Sequence, residues 1–450
     1  MHMKKRVIAI VIFLAMTMVV LGITQEILQA KFIQDSTTIV DGFYEEKKKD
    51  IDVLFIGSSN SFCTIDPLVL YEEYGIASYN FASSSQSMDI SLLYLKEALK
   101  RQNPKVVALE VNYIPGQNTS TIGEDSMLWG LTDMPLTLDK LGCIYQMLGK
   151  VDDEYMSYVF PMLRYHERWK EISKQDYTYP WEEKTNWTKG YLRTNEVSDA
   201  PVDLSGYVQE GSVWLDEQAV SCLEEMAAIC KEEGISLVLF KSPKQDWYEY
   251  FTTEIGKLAE SLDIAFVDYN PLAEEIGLDM ATDFRDIYHL NNQGAAKVSS
   301  HMGAYLKANY ELPDRREDAE PNSWDEAVAY QKRLEVTESY FTEATTITEC
   351  KEMLDDQEDY AVILTYKGGK DKQQYQWIYV EGEPVVSKAW SEDGIVHQRI
   401  EGTEVVLVRE RKVLQVLIEG INYDTPQKNW SAIVYDLKTN EVVAVLGYDE

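Results

Sequence analysis

Cysteine, histidine and basic residues are all scarce in this chain. Five cysteines occur among 450 residues. Cys63, Cys143, Cys222, Cys230 and Cys350 are scattered and odd in number, which gives neither a disulfide framework nor metal-ligand spacing. Cys230 falls on the apolar face of a predicted helix, where a thiol serves as a small hydrophobe. Histidines also number five, His2, His166, His289, His301 and His397, so imidazole bases are few. Lysine and arginine total 42 against 76 aspartates and glutamates. Such a surface repels phosphate backbones and argues against nucleic acid as a partner. It is also a common solubility device and specifies no ligand by itself.

The length suffices for two or three domains with their own cores. The chain opens Met1-His2-Met3-Lys4-Lys5-Arg6 and then runs apolar from Val7 to Ile23. A basic flank before such a run reads as a single-pass anchor over residues 1–30. The flank stays in the cytoplasm and the bulk of the chain lies outside the cell membrane. A cleaved signal peptide is the competing reading. The run is long for a signal h-region, and Leu28-Gln29-Ala30 is a poor cleavage site, so the uncleaved anchor is favoured. Residues 31–50 are polar, end in Glu45-Glu46-Lys47-Lys48-Lys49-Asp50, and read as a stalk.

An α/β pattern follows over residues 51–310. Val53-Leu54-Phe55-Ile56 reads as a short buried strand. It ends in Gly57-Ser58-Ser59-Asn60-Ser61, small polar residues at the carboxyl end of the strand. A helix near 66–74, a strand at Ala77–Phe81 and the cluster Ser83-Ser84-Ser85 come next. A helix from about Ser87 to Arg101 leads to a third strand, Val106–Val111. The pattern resumes at Asp216, a helix N-cap, before a stripe of Ala219, Leu223, Met226 and Cys230 that Gly234 ends. Strands Ile235–Phe240 and Ile264–Asp268, and helices near 247–262 and 293–308, complete it. Strands separated by helices predict a mostly parallel sheet with helices on both faces, a three-layer α/β/α sandwich.

Residues 113–213 interrupt this alternation and are rich in aromatics, among them Tyr155, Tyr158, Tyr165, Trp169, Tyr177, Tyr179 and Trp181. The stretch is too apolar for disorder. It reads as a partly helical insertion covering the mouth of a site. Its rings either pack the insertion's own core or stack on sugar rings. In the second case Arg164, His166 or Arg168 reaches an anionic or acyl group and binds substrate.

Residues 311–323 contain two prolines and many charges and read as a linker. One or two helices are predicted over 324–354. Strand-like runs follow at Tyr360–Tyr366, Gln376–Glu381, Val405–Val408, Val413–Ile418, Ser431–Tyr435 and Glu441–Gly447. The last two flank Lys438-Thr439-Asn440 as a hairpin. Residues 324–450 therefore form a small β-rich accessory domain.

A serine is a poor nucleophile at neutral pH. It needs a base within hydrogen-bond reach, and the base needs a third group to fix its tautomer. Alone, Gly57-Ser58-Ser59 is an ordinary turn or helix cap. Asp286 and His289, three residues apart after the last strand, alter that reading. Their spacing on a turn lets the carboxylate meet the ring. Both loops lie at the carboxyl edge of the sheet, where open α/β sheets bind ligands. The geometry permits Ser59, His289 and Asp286 to act together.

In order and content, Gly57-Ser58-Ser59, then Asn80-Phe81-Ala82-Ser83-Ser84-Ser85, then Asp286-Ile287-Tyr288-His289 with Leu290-Asn291 and Gly294-Ala295 resemble the blocks of the SGNH/GDSL hydrolase superfamily. The resemblance covers residues 50–310. It implies Ser59 as nucleophile and His289 and Asp286 as its partners. The first-block Asp of the family is here Ser58, and the second-block Gly falls at about Ser85. The third-block Asn is met only by Asn112, two places early. The backbone N–H groups of Ser59 and Ser85 are the better oxyanion donors, with Asn112 the third candidate. These departures, with the anchor, look more like the extracytoplasmic acyl-transfer members, relatives of alginate O-acetyltransferases and of the D-alanine transfer protein of teichoic acids. Such members work beside a multi-pass membrane acyltransferase, which implies that partner and a polymer substrate. Residues 359–436 also resemble, diffusely, the interleukin-like FAM3-type β-sandwich, some relatives of which bind glycans.

The expectation is thus a serine O-acyltransferase or esterase acting on a cell-surface polysaccharide or other acylated polymer. No metal or organic cofactor is implied. The alternative is a catalytically silent glycan-binding or assembly protein of the envelope, favoured by the weakened second and third blocks and opposed by the intact Ser, Asp and His.

Overall fold

The computed structural model describes residues 2–448 except 30–36, 122, 150, 152, 171, 173–175, 178–180, 182–183, 320–321, 343–345, 356–358, 369–372, 401, 411–412, 419–420, 424–428 and 438–440. Tyr179 and the hairpin turn at Lys438-Thr439-Asn440 lie outside the described residues. The chain divides into two compact units, Met1–Val328 and Ala329–Glu450.

Five parallel strands form the sheet of the first unit: β1 (Val53–Gly57), β2 (Ser78–Ala82), β3 (Val106–Glu110), β4 (Ser236–Lys241) and β5 (Ala265–Asp268). Their order is β2-β1-β3-β4-β5. Each strand is a short apolar run, as a strand covered on both faces requires. Val53 and Phe55 point into one core, shared with Ala108 and Phe240, while Leu54 and Ile56 point into the other, shared with Leu109 and Leu239. Helices α1 (Pro67–Tyr74) and α2 (Asn292–Asn309) cover the first face through Leu70, Val298, Met302 and Leu306. Helices α3 (Met88–Leu99), α4 (Glu217–Glu233) and α5 (Glu249–Ser261) cover the second through Leu95, Met226 and Ile255. Full burial of such a side chain contributes about 1.5–3 kcal/mol, so both faces are strongly held. The predicted strands and helices of this unit are present, with ends displaced by one or two residues.

The strand order reverses direction between β1 and β3. Connections leaving these two neighbours run to opposite sides, the arrangement in which open α/β sheets bind ligands at the carboxyl ends of the strands. Gly57 sits there because β1 ends hard against β3: a Cβ on Gly57 would lie 2.6 Å from the Cβ of Glu110.

Two segments depart from expectation. The described part of the stalk, from Thr37 on, is largely a helix, Thr37–Glu45, whose Ile39, Val40 and Phe43 are buried. Phe43 stacks on Phe81 with centroids 3.9 Å apart, and Ile39 accepts a hydrogen bond from Tyr79 at 2.8 Å. Three apolar residues at helical spacing within a charged stretch form this face. The linker also packs. Leu312 is buried, Arg315 makes a two-pronged pair with Asp52 at 2.6 and 2.8 Å, and the buried Trp324 donates to the Ser78 carbonyl at 3.0 Å. The first unit therefore extends to Val328 and the boundary falls later than the prolines suggest.

The insertion is built of short helices, among them Glu124–Leu131, Leu138–Leu148 and Asp153–Val159. Leu131, Ile144, Tyr155 and Tyr158 pack into the second core, whereas Trp169, Tyr177 and Trp181 are exposed. Its rings thus divide between packing and surface.

Helix His2–Leu28 holds one apolar stretch, Arg6–Leu28, long enough to cross a membrane, with mean hydropathy 2.8. Its side chains Phe13, Met18 and Val20 are more than half exposed.

In the second unit, strands Tyr360–Tyr366, Gln374–Val380, Glu383–Trp390, Trp430–Asp436 and Glu441–Tyr448 form one antiparallel sheet. Gly394–Ile400, Thr403–Glu410, Val413–Ile418 and Ile421–Asn422 form another. Alternation sorts the contacts. Val362, Leu364 and Val434 meet Cys350 of helix Ile347–Asp355, while Ile363, Ile433 and Tyr435 meet Val405, Leu407 and Val416 of the second sheet. Strands 383–390 and 394–400 were not legible, because apolar and polar residues are mixed along them and only Trp390 and Ile400, at their ends, are buried.

Candidate active site

The residue after Gly57 starts a helix. Ser58 is its N-cap, with extended backbone, and its Oγ accepts from the Asn60 N–H at 3.3 Å. Ser59 is therefore the first helical residue of Ser59–Phe62, at the carboxyl end of β1. Its own N–H has no acceptor among the described residues, as expected for a first-turn donor. Ser242 Oγ, beyond β4, donates to the Asn60 carbonyl and ties this turn to the next loop.

The second half comes from the loop before α2. Phe284 and Leu290 form an antiparallel bridge, and Arg285 N–H donates to the His289 carbonyl at 3.0 Å, closing the loop on itself. Inside it, Asp286 Oδ1 accepts from the N–H groups of Tyr288 at 2.7 Å and His289 at 3.0 Å. Gln245 N–H donates to the Ile287 carbonyl at 2.9 Å, fixing the loop against the one after β4. Asn291 caps α2, accepting from Gln293 and Gly294, and donates to the Thr282 carbonyl at 2.7 Å.

These two loops meet. His289 Nε2 lies 2.9 Å from Ser59 Oγ, and His289 Nδ1 lies 3.0 Å from both carboxylate oxygens of Asp286. An ionised carboxylate only accepts, so Nδ1 carries the proton and Nε2 is left to accept from the Ser59 hydroxyl. Partial burial raises the Asp286 carboxyl. The hydrogen bond and charge of His289, the Tyr288 N–H and Arg285 outweigh it and hold the group below the usual carboxylate range. Asp286 thus stays ionised at neutral pH. Serine, imidazole and carboxylate stand in the order needed to deprotonate a hydroxyl.

The remaining oxyanion candidates lie in the loops after β2 and β3. Ser85 has a positive φ of 50°, so the serine holds a turn that a glycine takes more easily. Asn112 follows β3. Its N–H donates to Glu110 Oε2 at 3.1 Å, and Ser58 Oγ–H reaches the same oxygen at 3.5 Å. One carboxylate oxygen therefore holds the loops after β1 and β3 together.

Arg164, His166 and Arg168 are not brought to the triad. Arg164 pairs with Glu124, bonds Ser157 at 2.9 Å and lies over the Tyr158 ring. His166 Nδ1 bonds the Leu163 carbonyl at 2.8 Å. Arg168 donates to the Leu28 and Gln29 carbonyls at 2.9 and 2.6 Å and to Asp176 at 2.7 Å. Arg168 thereby caps the last carbonyls of the N-terminal helix. The part of the insertion that reaches the site lies further on. Asn80 N–H donates to the Lys189 carbonyl at 2.9 Å, Leu192 N–H to Phe62 at 2.8 Å and Ser198 N–H to Phe284 at 2.8 Å. Residues 189–198 thus touch both the segment that carries Ser59 and the loop that carries His289.

Sequence reasoning missed Glu110, Lys241 and Lys244. Lys241 pairs with Glu110 Oε1 at 2.6 Å, both side chains essentially without exposure, and Lys244 Nζ lies 3.4 Å from Asn112 Oδ1. The signal was present. Val106–Glu110 and Ser236–Lys241 are apolar runs that each end in a charge, on adjacent strands and at the same edge. Among the described residues no cluster of His, Cys, Asp or Glu is suited to a metal ion. No protein-family model and no curated protein matches this chain.

Proposed function

We propose that the chain is a membrane-anchored, extracytoplasmic serine O-acyltransferase or esterase of the SGNH type, acting on a cell-surface polysaccharide. The observation that carries this reading is the continuous link Ser59 Oγ to His289 Nε2 at 2.9 Å and His289 Nδ1 to Asp286 at 3.0 Å. The parallel sheet with helices on both faces is compatible with a three-layer SGNH-type sandwich, and the apolar N-terminal helix with an anchor.

Ser59 Oγ attacks the acyl carbonyl carbon while its proton passes to His289 Nε2. The carbonyl oxygen becomes an oxyanion facing the donors near Ser59, Ser85 and Asn112. Collapse breaks the bond to the leaving-group oxygen, which takes the proton back from His289. A sugar hydroxyl or water then gives its proton to His289 and attacks the acyl-enzyme; collapse of that adduct breaks the bond to Ser59 Oγ, which takes the proton back from His289. Asp286 holds the ring and stabilises the imidazolium, and no proton is transferred to it.

The test is covalent labelling of the full chain by a fluorophosphonate, with acyl content of the surface polymer measured in cells carrying Ser59→Ala. Labelling of wild type alone and loss of acyl groups in the variant are expected. Wild-type acyl content at normal protein abundance would sink the catalytic reading and favour a silent glycan-binding or assembly protein.

A further inference from the structure

Lys244 is a buried ammonium that the acyl-transfer steps do not use. It is only 7% exposed and makes no ion pair among the described residues. Its backbone is fixed, since its N–H donates to Asn270 Oδ1 at 2.9 Å. The charged groups facing it are Lys241, Glu110 and Asp246, and Glu110 already pairs with Lys241 at 2.6 Å. From the catalytic loop the Tyr288 ring faces it, with Nζ 4.9 Å from the centroid, next to the ring of His289. Its hydrogen bond goes to Asn112 Oδ1, which Asn118 Nδ2 also reaches at 3.5 Å.

Burying an ammonium is costly, and a buried charge without a paired carboxylate needs a reason. Asn112 supplies one. Its N–H is held by Glu110 and its carbonyl by Asn118 Nδ2 at 2.6 Å. Its amide plane is set by two donors on Oδ1. An amide whose oxygen is occupied presents its Nδ2 hydrogens elsewhere, and Asn112 Nδ2 has no partner among the described residues.

We infer that Lys244 is a positioning residue that holds Asn112 Oδ1, so that Asn112 Nδ2 is a fixed donor to the developing oxyanion and the ammonium adds positive potential behind it. The inference rests on the serine acyl-transfer reading. It takes Asn112 as the oxyanion candidate that the resemblance suggests and adds what holds that side chain, Glu110 on its N–H and Lys244 on its Oδ1. Burial and the neighbouring charge of Lys241 push the Lys244 ammonium down to about 8, so the device weakens in mild alkali.

The test is the second-order rate of fluorophosphonate labelling at Ser59 in the full chain, measured from pH 6.5 to 9.5, since that reaction also develops a negative oxygen in the same pocket. Wild type, Lys244→Met, Lys244→Arg, Asn112→Ala and the double variant Asn112→Ala with Lys244→Met are compared. Lys244→Met and Asn112→Ala should each slow labelling about tenfold or more at pH 7. The double variant should be no slower than Asn112→Ala, as a shared function requires. Lys244→Arg should restore the rate and remove the alkaline decline, because a guanidinium keeps its charge. Wild-type rates in Lys244→Met, or losses that add in full in the double variant, would overturn the inference while leaving Ser59 as nucleophile. If arginine does not fit the site, the coupling between positions 112 and 244 still decides. Absence of labelling in wild type would instead remove the acyl-transfer reading, and this inference with it.

Discussion

Glu110 and Lys241 close a 2.6 Å ion pair at the ends of two adjacent strands, with both side chains buried. The free oxygen of Glu110 then receives Ser58 and Asn112. The pair therefore does two things: it satisfies two buried charges, and it joins the loop that carries Ser59 to the loop that carries an oxyanion candidate.

Breaking that pair from one side should be severe. Glu110→Ala leaves Lys241 charged and buried, with an expected loss of about 3–5 kcal/mol. Replacing both, as Glu110→Leu with Lys241→Met, should recover much of the loss in urea unfolding. Serine labelling should stay slow in the double variant, because Ser58 and Asn112 have lost their common acceptor. A double variant as unstable as Glu110→Ala would show that the unpaired charge is not the cause.

The triad makes a sharper prediction. Ser59→Ala and His289→Ala should each reduce acyl transfer by roughly a thousandfold or more, and together by no more than either alone. Asp286→Asn should be milder, because it spoils ring orientation and keeps the base. Ser59→Ala should hardly change the melting temperature. Ser58→Ala is not a neutral control, since Ser58 caps the helix that begins at Ser59 and bonds Glu110. Loss of that cap should cost about 1 kcal/mol. Activity measured in membranes, with unfolding of the purified variants, separates the two effects.

Much of this was legible in the sequence. Apolar strands bounded by Gly, Pro and Ser show their ends, and Asp216 and Gly234 mark helix ends by cap chemistry. The triad was legible because Asp-x-x-His and Gly-Ser-Ser are local patterns at strand ends. What escaped depends on contacts between distant segments. Arg164 and Arg168 look like free cations in sequence, yet their donors are spent on Glu124, Asp176 and two helix carbonyls. Nothing local distinguishes a capping arginine from a substrate arginine. The stalk was misread because three apolar residues were outnumbered by charges, and the linker because two prolines outweighed Leu312 and Trp324.

Lys244 predicts a pH signature in stability. Its ammonium is pushed down to about 8 in the native protein, against about 10.4 for an unfolded lysine. Below pH 8 both states hold the proton. Between about 8 and 10.4 the unfolded chain binds more protons than the native one, so this group makes stability rise with pH. The difference in unfolding free energy between wild type and Lys244→Met should therefore move in favour of wild type across that window, by at most about 3 kcal/mol. Urea unfolding of both proteins from pH 7 to 10 measures it. A constant difference would mean that the native lysine titrates normally.

The last prediction concerns where the first unit ends. Trp324 is fully buried, donates its indole N–H to the Ser78 carbonyl of β2 at 3.0 Å, and lies under the Lys189 ammonium at 4.7 Å. Lys189 pairs with Glu46 at 2.6 Å, and Ser323 Oγ donates to the other Glu46 oxygen at 2.7 Å. A chain ending at Leu312 would lose these groups and Arg315. It would leave the Lys189–Glu46 pair uncovered and the Asp52 carboxylate without its partner. A chain ending at Val328 keeps them all. The shorter chain should be insoluble or melt well below the longer one, and the longer one should retain serine labelling. Trp324→Ala in the full chain isolates the indole and should cost about 3–5 kcal/mol. Equal melting temperatures and equal labelling for the two truncated chains would show that the segment is a linker after all.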